Sequence, residues 1–169
     1  AAEIVPAPWT APETVEKTRK LAVAYAQANR PADAAVEFER ISSNAGEEPA
    51  VRHEALTRAA DLYGKAGNPV KTVAMLEREV AEYPTPVPDA IEVREQLAQL
   101  AAKGGNTARE QQWLREIVRA DAQAGAARTD RTRFLAATAQ LQLAQPLRDT
   151  FRAIRLVAKT DLALRSNPP

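Results

Sequence analysis

His53 is the sole histidine of this 169-residue chain, and the hydroxyls it could activate as nucleophilic serines are only Ser42, Ser43 and Ser166. Serine–histidine catalysis needs the hydroxyl within hydrogen-bond reach of the imidazole and a third group to orient the ring. Ser42 and Ser43 fall in a polar connector, Ser42 to Pro49, and Ser166 lies at the chain end, so the spacing offers no such arrangement. His53 opens a helix at a position matched elsewhere by Val15 and Ile91, which reads as a helix-start or partly packed histidine. There is no cysteine, which excludes a disulfide framework, a thiolate nucleophile and a cysteine-based zinc site. One histidine and scattered carboxylates make no metal-ligand cluster. Glu47-Glu48 reads as a solvated pair, and Gly104-Gly105 lacks the lysine and threonine of a phosphate loop and reads as a turn. The expectation is a protein with no catalytic residues, no metal and no cofactor.

What remains is charge. The net charge of +1 divides unevenly, since residues 131–169 hold seven basic and two acidic groups (+5) and residues 1–130 hold 16 and 20 (−4). Arg148, Arg152, Arg155 and Lys159, spaced four, three and four, share one face of a helix. Such a stripe suits phosphate, whether of nucleic acid or an anionic lipid surface, or it docks onto acidic residues elsewhere. With no aromatic within it and only four charges, a solvated or protein-facing stripe is the simpler expectation.

The elements that position these groups repeat. Positions 38 residues before Leu76, Tyr63 and Pro69 are Phe38, Tyr25 and Pro31, and 38 residues after Leu76, Gly67 and Asn68 stand Leu114, Gly105 and Asn106. Apolar residues at three- and four-residue spacing mark helices on either side of Asn29-Arg30, Gly67-Asn68 and Gly104-Gly105-Asn106. Asn68 is placed to cap the helix that Pro69 begins. These signals predict hairpins over about 14–43, 51–83, 90–122 and 129–165, the last with a turn at Leu143-Ala144-Gln145-Pro146 and an apolar stripe of Leu147, Phe151, Ile154 and Ala158. Residues 1–13, with Pro6, Pro8, Pro12 and Trp9, read as an extended arm. At 45% apolar and 5% aromatic, with abundant alanine, the composition favours an all-helical chain with small-residue packing. No apolar run is long enough to span a bilayer. The start at Ala1-Ala2 suits an exported, periplasmic mature form of a bacterial protein and a cytoplasmic fragment equally.

The units Leu21-Ala22-x-x-Tyr25 with Ala34-x-x-x-Phe38, and Ala59-Ala60-x-x-Tyr63 with Gly67 and Pro84, resemble the tetratricopeptide repeat (TPR) family. The third unit keeps Leu97-Ala98, Gly105 and Leu114 but not the aromatic or the closing proline, and the 38-residue period exceeds the family's usual length. The resemblance implies a right-handed α-solenoid of about four antiparallel hairpins, with Tyr25, Tyr63, Phe38, Leu76 and Leu114 packed between them. It also implies a concave groove lined by polar residues of each first helix: Glu16, Arg19 and Val23; Glu54, Thr57 and Asp61; Glu92, Glu95 and Gln99; then Asp130 and Arg133. The family's carboxylate-clamping set is absent at Val23, Asp61 and Gln99. The resulting expectation is a non-catalytic protein–protein interaction scaffold whose centrally acidic groove takes an extended or helical segment rich in lysine or arginine. The alternatives are nucleic-acid or anionic-surface binding through the last helix, or a self-assembling subunit.

Overall fold

The computed structural model describes the backbone of residues 12–166 and the side chains of residues 15–154; the expected N-terminal arm up to residue 11, with Trp9, lies outside the described residues. Seven α-helices follow one another: α1 (Pro12–Gln27), α2 (Pro31–Ser42), α3 (Pro49–Lys65), α4 (Pro69–Glu82), α5 (Val87–Lys103), α6 (Thr107–Gln123) and α7 (Asp130–Ser166). A single 3₁₀ turn, Gly125–Ala127, separates α6 from α7, and there is no strand among the described residues. Each helix packs on the next in sequence, and α5 also packs on α7.

Three turns are built alike. Asn29, Gly67 and Gly105 take positive φ (55°, 70° and 70°), the left-handed conformation that ends a helix and that glycine and asparagine adopt most readily. In each turn the following N–H reaches back five residues, Arg30 to the Tyr25 carbonyl, Asn68 to Tyr63 and Asn106 to Ala101, all at 2.9 Å. The side-chain oxygens of Asn68 and Asn106 then accept from the N–H of Lys71 and Arg109, both at 3.1 Å, which caps α4 and α6. Arg30 supplies no side-chain cap to α2. Pro31 and Pro69 sit at the helix start, where the missing N–H leaves nothing unpaired.

The small-residue row expected from the repeat is buried. Ala22, Ala59, Ala60, Leu97, Ala98, Leu135 and Ala136 are all under 10% exposed, while Leu21 of α1 is 41% exposed. Leu56, Ile91, Leu97 and Ile117 are almost wholly inaccessible, each contributing ~1.5–3 kcal/mol of hydrophobic burial. α5 starts at Val87, three residues before the expected start near residue 90, because Pro86 and Pro88 fit the cap and first turn.

The fourth hairpin is not formed. Residues 130–166 are one helix of 37 residues that runs through Pro146, so there is no turn at Leu143-Ala144-Gln145-Pro146. Proline there forfeits one backbone hydrogen bond and costs ~3 kcal/mol. A turn is disfavoured for a specific reason: Leu143 and Ala144 stand 38 and 39 residues after Gly105, and neither is glycine or asparagine. A left-handed leucine or alanine is penalised by ~1–2 kcal/mol, and no asparagine follows to cap a new helix. The stripe expected to pack inside that hairpin is therefore solvent-facing, with Leu147 76%, Phe151 63% and Ile154 63% exposed.

Candidate interaction surface

Three clefts lie between odd-numbered helices, each with a residue of the intervening even-numbered helix in its floor. Between α1 and α3, Arg19 and Val23 face Glu54 and Arg58 across a floor that includes Phe38. The cleft runs on past Gln27 to Asp61 and Lys65. Between α3 and α5, Asp61 and Lys65 face Gln96, Gln99 and Lys103 above Leu76. Between α5 and α7, Glu95 and Gln99 face Thr138 and Gln142 above Leu114. Phe38, Leu76 and Leu114 are 38 residues apart, so one repeat position supplies the floor of every cleft.

Ion pairs also repeat with the period and hold the second helices together. Lys71 on α4 reaches Glu39 on α2 at 2.9 Å, and one repeat later Arg109 on α6 pairs with Glu77 on α4. Burial pushes the Glu39 carboxyl up, but hydrogen bonds from Tyr63 and Lys71 more than offset it and hold Glu39 below the usual carboxylate range. The Tyr63 hydroxyl, which donates to Glu39 at 2.5 Å, is pushed well above the ordinary tyrosine value by burial and by that carboxylate. A third link, Arg131 on α7 to Glu92 on α5, is bidentate at 2.8 and 3.1 Å and lowers Glu92.

The structure brings Arg19, Val23, Glu54, Asp61, Glu95 and Gln99 to the clefts. Others of the expected set are engaged elsewhere. Glu16 is exposed beside Lys20 at 3.6 Å, Thr57 donates to Glu79 on α4 at 2.8 Å, and Glu92 is taken up by Arg131. Asp130 pairs with Arg133 at 3.0 Å. Glu54 is matched by Arg58 at 2.8 Å, and Glu95 accepts from the Gln99 amide. Asp61 makes no ion pair among the described residues and lines two clefts. Cations that the groove reading omitted, Arg58, Lys65 and Lys103, line the same clefts. Lys65 and Lys103 are 38 residues apart, a regularity legible in the sequence. Phe134 and Leu141, 61% and 62% exposed, hold in α7 the positions of Gln96 and Lys103 in α5, so the last helix presents this face with apolar groups.

His53 is half-buried, with its ring stacked on Tyr83 at 4.1 Å and its Nε2 3.2 Å from Glu79 Oε1. Ser42 and Ser43 instead donate to the Glu39 carbonyl at 2.8 and 2.9 Å. Among the described residues no group of three histidine, aspartate or glutamate side chains could hold a metal ion. None of the helices searched is long and apolar enough to cross a membrane. On the basic stripe, Arg148 donates to Gln145 at 2.6 Å and Arg152 is exposed, whereas the Arg155 and Lys159 side chains lie outside the described residues.

No protein-family model matches the chain, and none of the curated proteins matches it in sequence. The likeness to tetratricopeptide repeats therefore rests on the residues of this chain alone.

Proposed function

We propose that this chain is a non-catalytic interaction module, a TPR-like right-handed solenoid whose inter-helix clefts receive an extended or helical segment of another protein. The observation that carries the reading is the threefold recurrence of one cleft, with Phe38, Leu76 and Leu114 as floors and exposed charged or amide side chains as rims. Repetition at fixed spacing suits a ligand that is itself periodic, such as a peptide laid across successive helices. The rims carry both signs, Asp61 and Glu95 beside Lys65 and Lys103, so a segment bearing lysine or arginine near the middle and a carboxylate toward the Lys103 end matches them. Charge in such a groove sets choice and on-rate more than affinity.

The test compares native-lysate capture by the wild-type chain with capture by a variant carrying Glu54→Lys, Asp61→Lys and Glu95→Lys. These positions spare the Glu92–Arg131 link, so the variant keeps the α5–α7 contact. Loss of a defined set of partners supports the groove, and recovery of identical partners by both proteins rejects it.

A further inference from the structure

The two ends of the helical array differ. At the first end, α1 carries an exposed Lys17 where α3 and α5 bury Ala55 and Val93. At the other end, the row Thr132, Ala136 and Ala139, buried in the first half of α7, continues along the same helix as Leu143, Leu147, Phe151 and Ile154. Beyond the half-buried Leu143 that row is exposed, each side chain by more than 60%.

Three features of the row define its occupant. Its spacing of four, four and three from Leu143 to Ile154 is that of a seam one helix wide. The same row already packs against helices in its first half, so a helix continues the existing contact without a change of geometry. Charge supplies the third. Arg148 flanks the Phe151 side of the seam and Arg152, one turn on, stands farther round on that same side, neither with a carboxylate partner among the described residues; Thr150 flanks the other side. Residues 143–166 carry five basic and two acidic groups, so two copies of this helix laid together repel.

We propose that the distal half of α7, from Leu143 to Ile154, docks one amphipathic helix of a partner protein whose apolar seam is edged by aspartate or glutamate. The docked helix covers Leu147, Phe151 and Ile154, and its carboxylates on that side face Arg148, with the longer reach to Arg152 one turn on. This surface is separate from the clefts of the proposed groove, and either can operate without the other.

The probe is a synthetic three-heptad peptide with isoleucine and leucine on its seam and glutamate on both edges, paired with an otherwise identical lysine-edged peptide. Titrated by fluorescence anisotropy against the full chain, the glutamate-edged peptide is expected to bind at least ~10-fold more tightly than the lysine-edged one. Phe151→Ser abolishes that binding with an unchanged thermal transition, since the side chain is exposed. Arg148→Glu with Arg152→Glu, both at the surface, reverses the preference between the two peptides. Equal binding of the two peptides, or of neither, overturns the proposal. So does a concentration-dependent mass in sedimentation that Phe151→Ser removes, which assigns the seam to a second copy. Binding to phosphatidylserine-containing vesicles without peptide binding overturns it in favour of a lipid surface.

Discussion

Residues 12–123 and residues 130–166 obey the same apolar spacing, yet the first stretch folds into three hairpins and the second continues as one helix. The difference lies in two positions per unit. Where Asn29, Gly67 or Gly105 accepts a left-handed backbone, the chain reverses and its two apolar rows close on each other. Leu143, Ala144 and Gln145 provide neither that conformation nor a cap, and Pro146 alone, which lacks an N–H but keeps a helical φ, does not turn the chain. Proline thus marks where a helix can begin only when the preceding residues have already ended one.

The sharpest way to break this comparison is to give α7 the missing signal. Ala144→Gly with Gln145→Asn creates the Gly-Asn-Pro sequence that stands at residues 67–69. Spin labels at residues 134 and 154, ~30 Å apart on a continuous helix, are expected to approach to ~10–15 Å as the distal half folds back. An unchanged distance would mean that tertiary contacts, and not turn residues, decide where the chain reverses.

Next in size is the junction that starts α7. Asp121 is 3% exposed at the end of α6; it accepts from Arg128 at 2.6 Å and from the Thr132 hydroxyl at 2.8 Å. Thr129 and Thr132 also exchange backbone and hydroxyl hydrogen bonds at 3.1 Å, closing the first turn. The hydrogen bond from Arg128 holds the Asp121 carboxyl below the ordinary aspartate range despite its burial. Asp121 therefore lends stability that is fully present above about pH 4 and is lost as pH falls through its lower folded value. Asp121→Asn is expected to lower stability by ~1–3 kcal/mol at pH 7 and to flatten the acid side of the profile, read by urea unfolding between pH 7 and pH 3.

Within the repeated part, glycines at two kinds of position should respond with opposite sign. A Cβ on Gly67 or Gly105 meets nothing within 4 Å, so Gly67→Ala or Gly105→Ala is opposed only by the positive φ, at ~1–2 kcal/mol each. Gly64 lies inside α3, where an added Cβ makes ordinary contact with Thr72 at 3.9 Å, and Gly64→Ala should stabilise by ~0.5–1 kcal/mol. Thermal unfolding of the three variants measures the contrast. An effect of similar size is expected at the caps, where Asn68→Ala or Asn106→Ala lowers stability by ~1 kcal/mol. Arg30→Ala, at the matching position without a side-chain cap, should not show that loss.

The helices, their pairing at Asn29, Gly67 and Gly105, and the buried row from Ala22 to Ala136 were legible in the sequence because each depends on local backbone preference and on apolar periodicity. The candidate site was legible only in part. Register alone brought Arg19, Glu54, Asp61, Glu95 and Gln99 to the clefts. It could not say that Glu92 would be claimed by Arg131 or Thr57 by Glu79, since those partners lie 39 and 22 residues away and meet only when helices stack.

By itself, then, the sequence determined that the chain is helical, where its three hairpins turn, and the repeated apolar row buried between them. The tertiary structure decided the remainder: which charges neutralise one another, which stay open to a partner, and that the last apolar row has no cover. Backbone propensity and periodicity act within a few residues and can be read in order along the chain. Pairing and exposure depend on which helices become neighbours, and near position 144 neither a left-handed residue nor a cap stands to bring a further helix alongside α7.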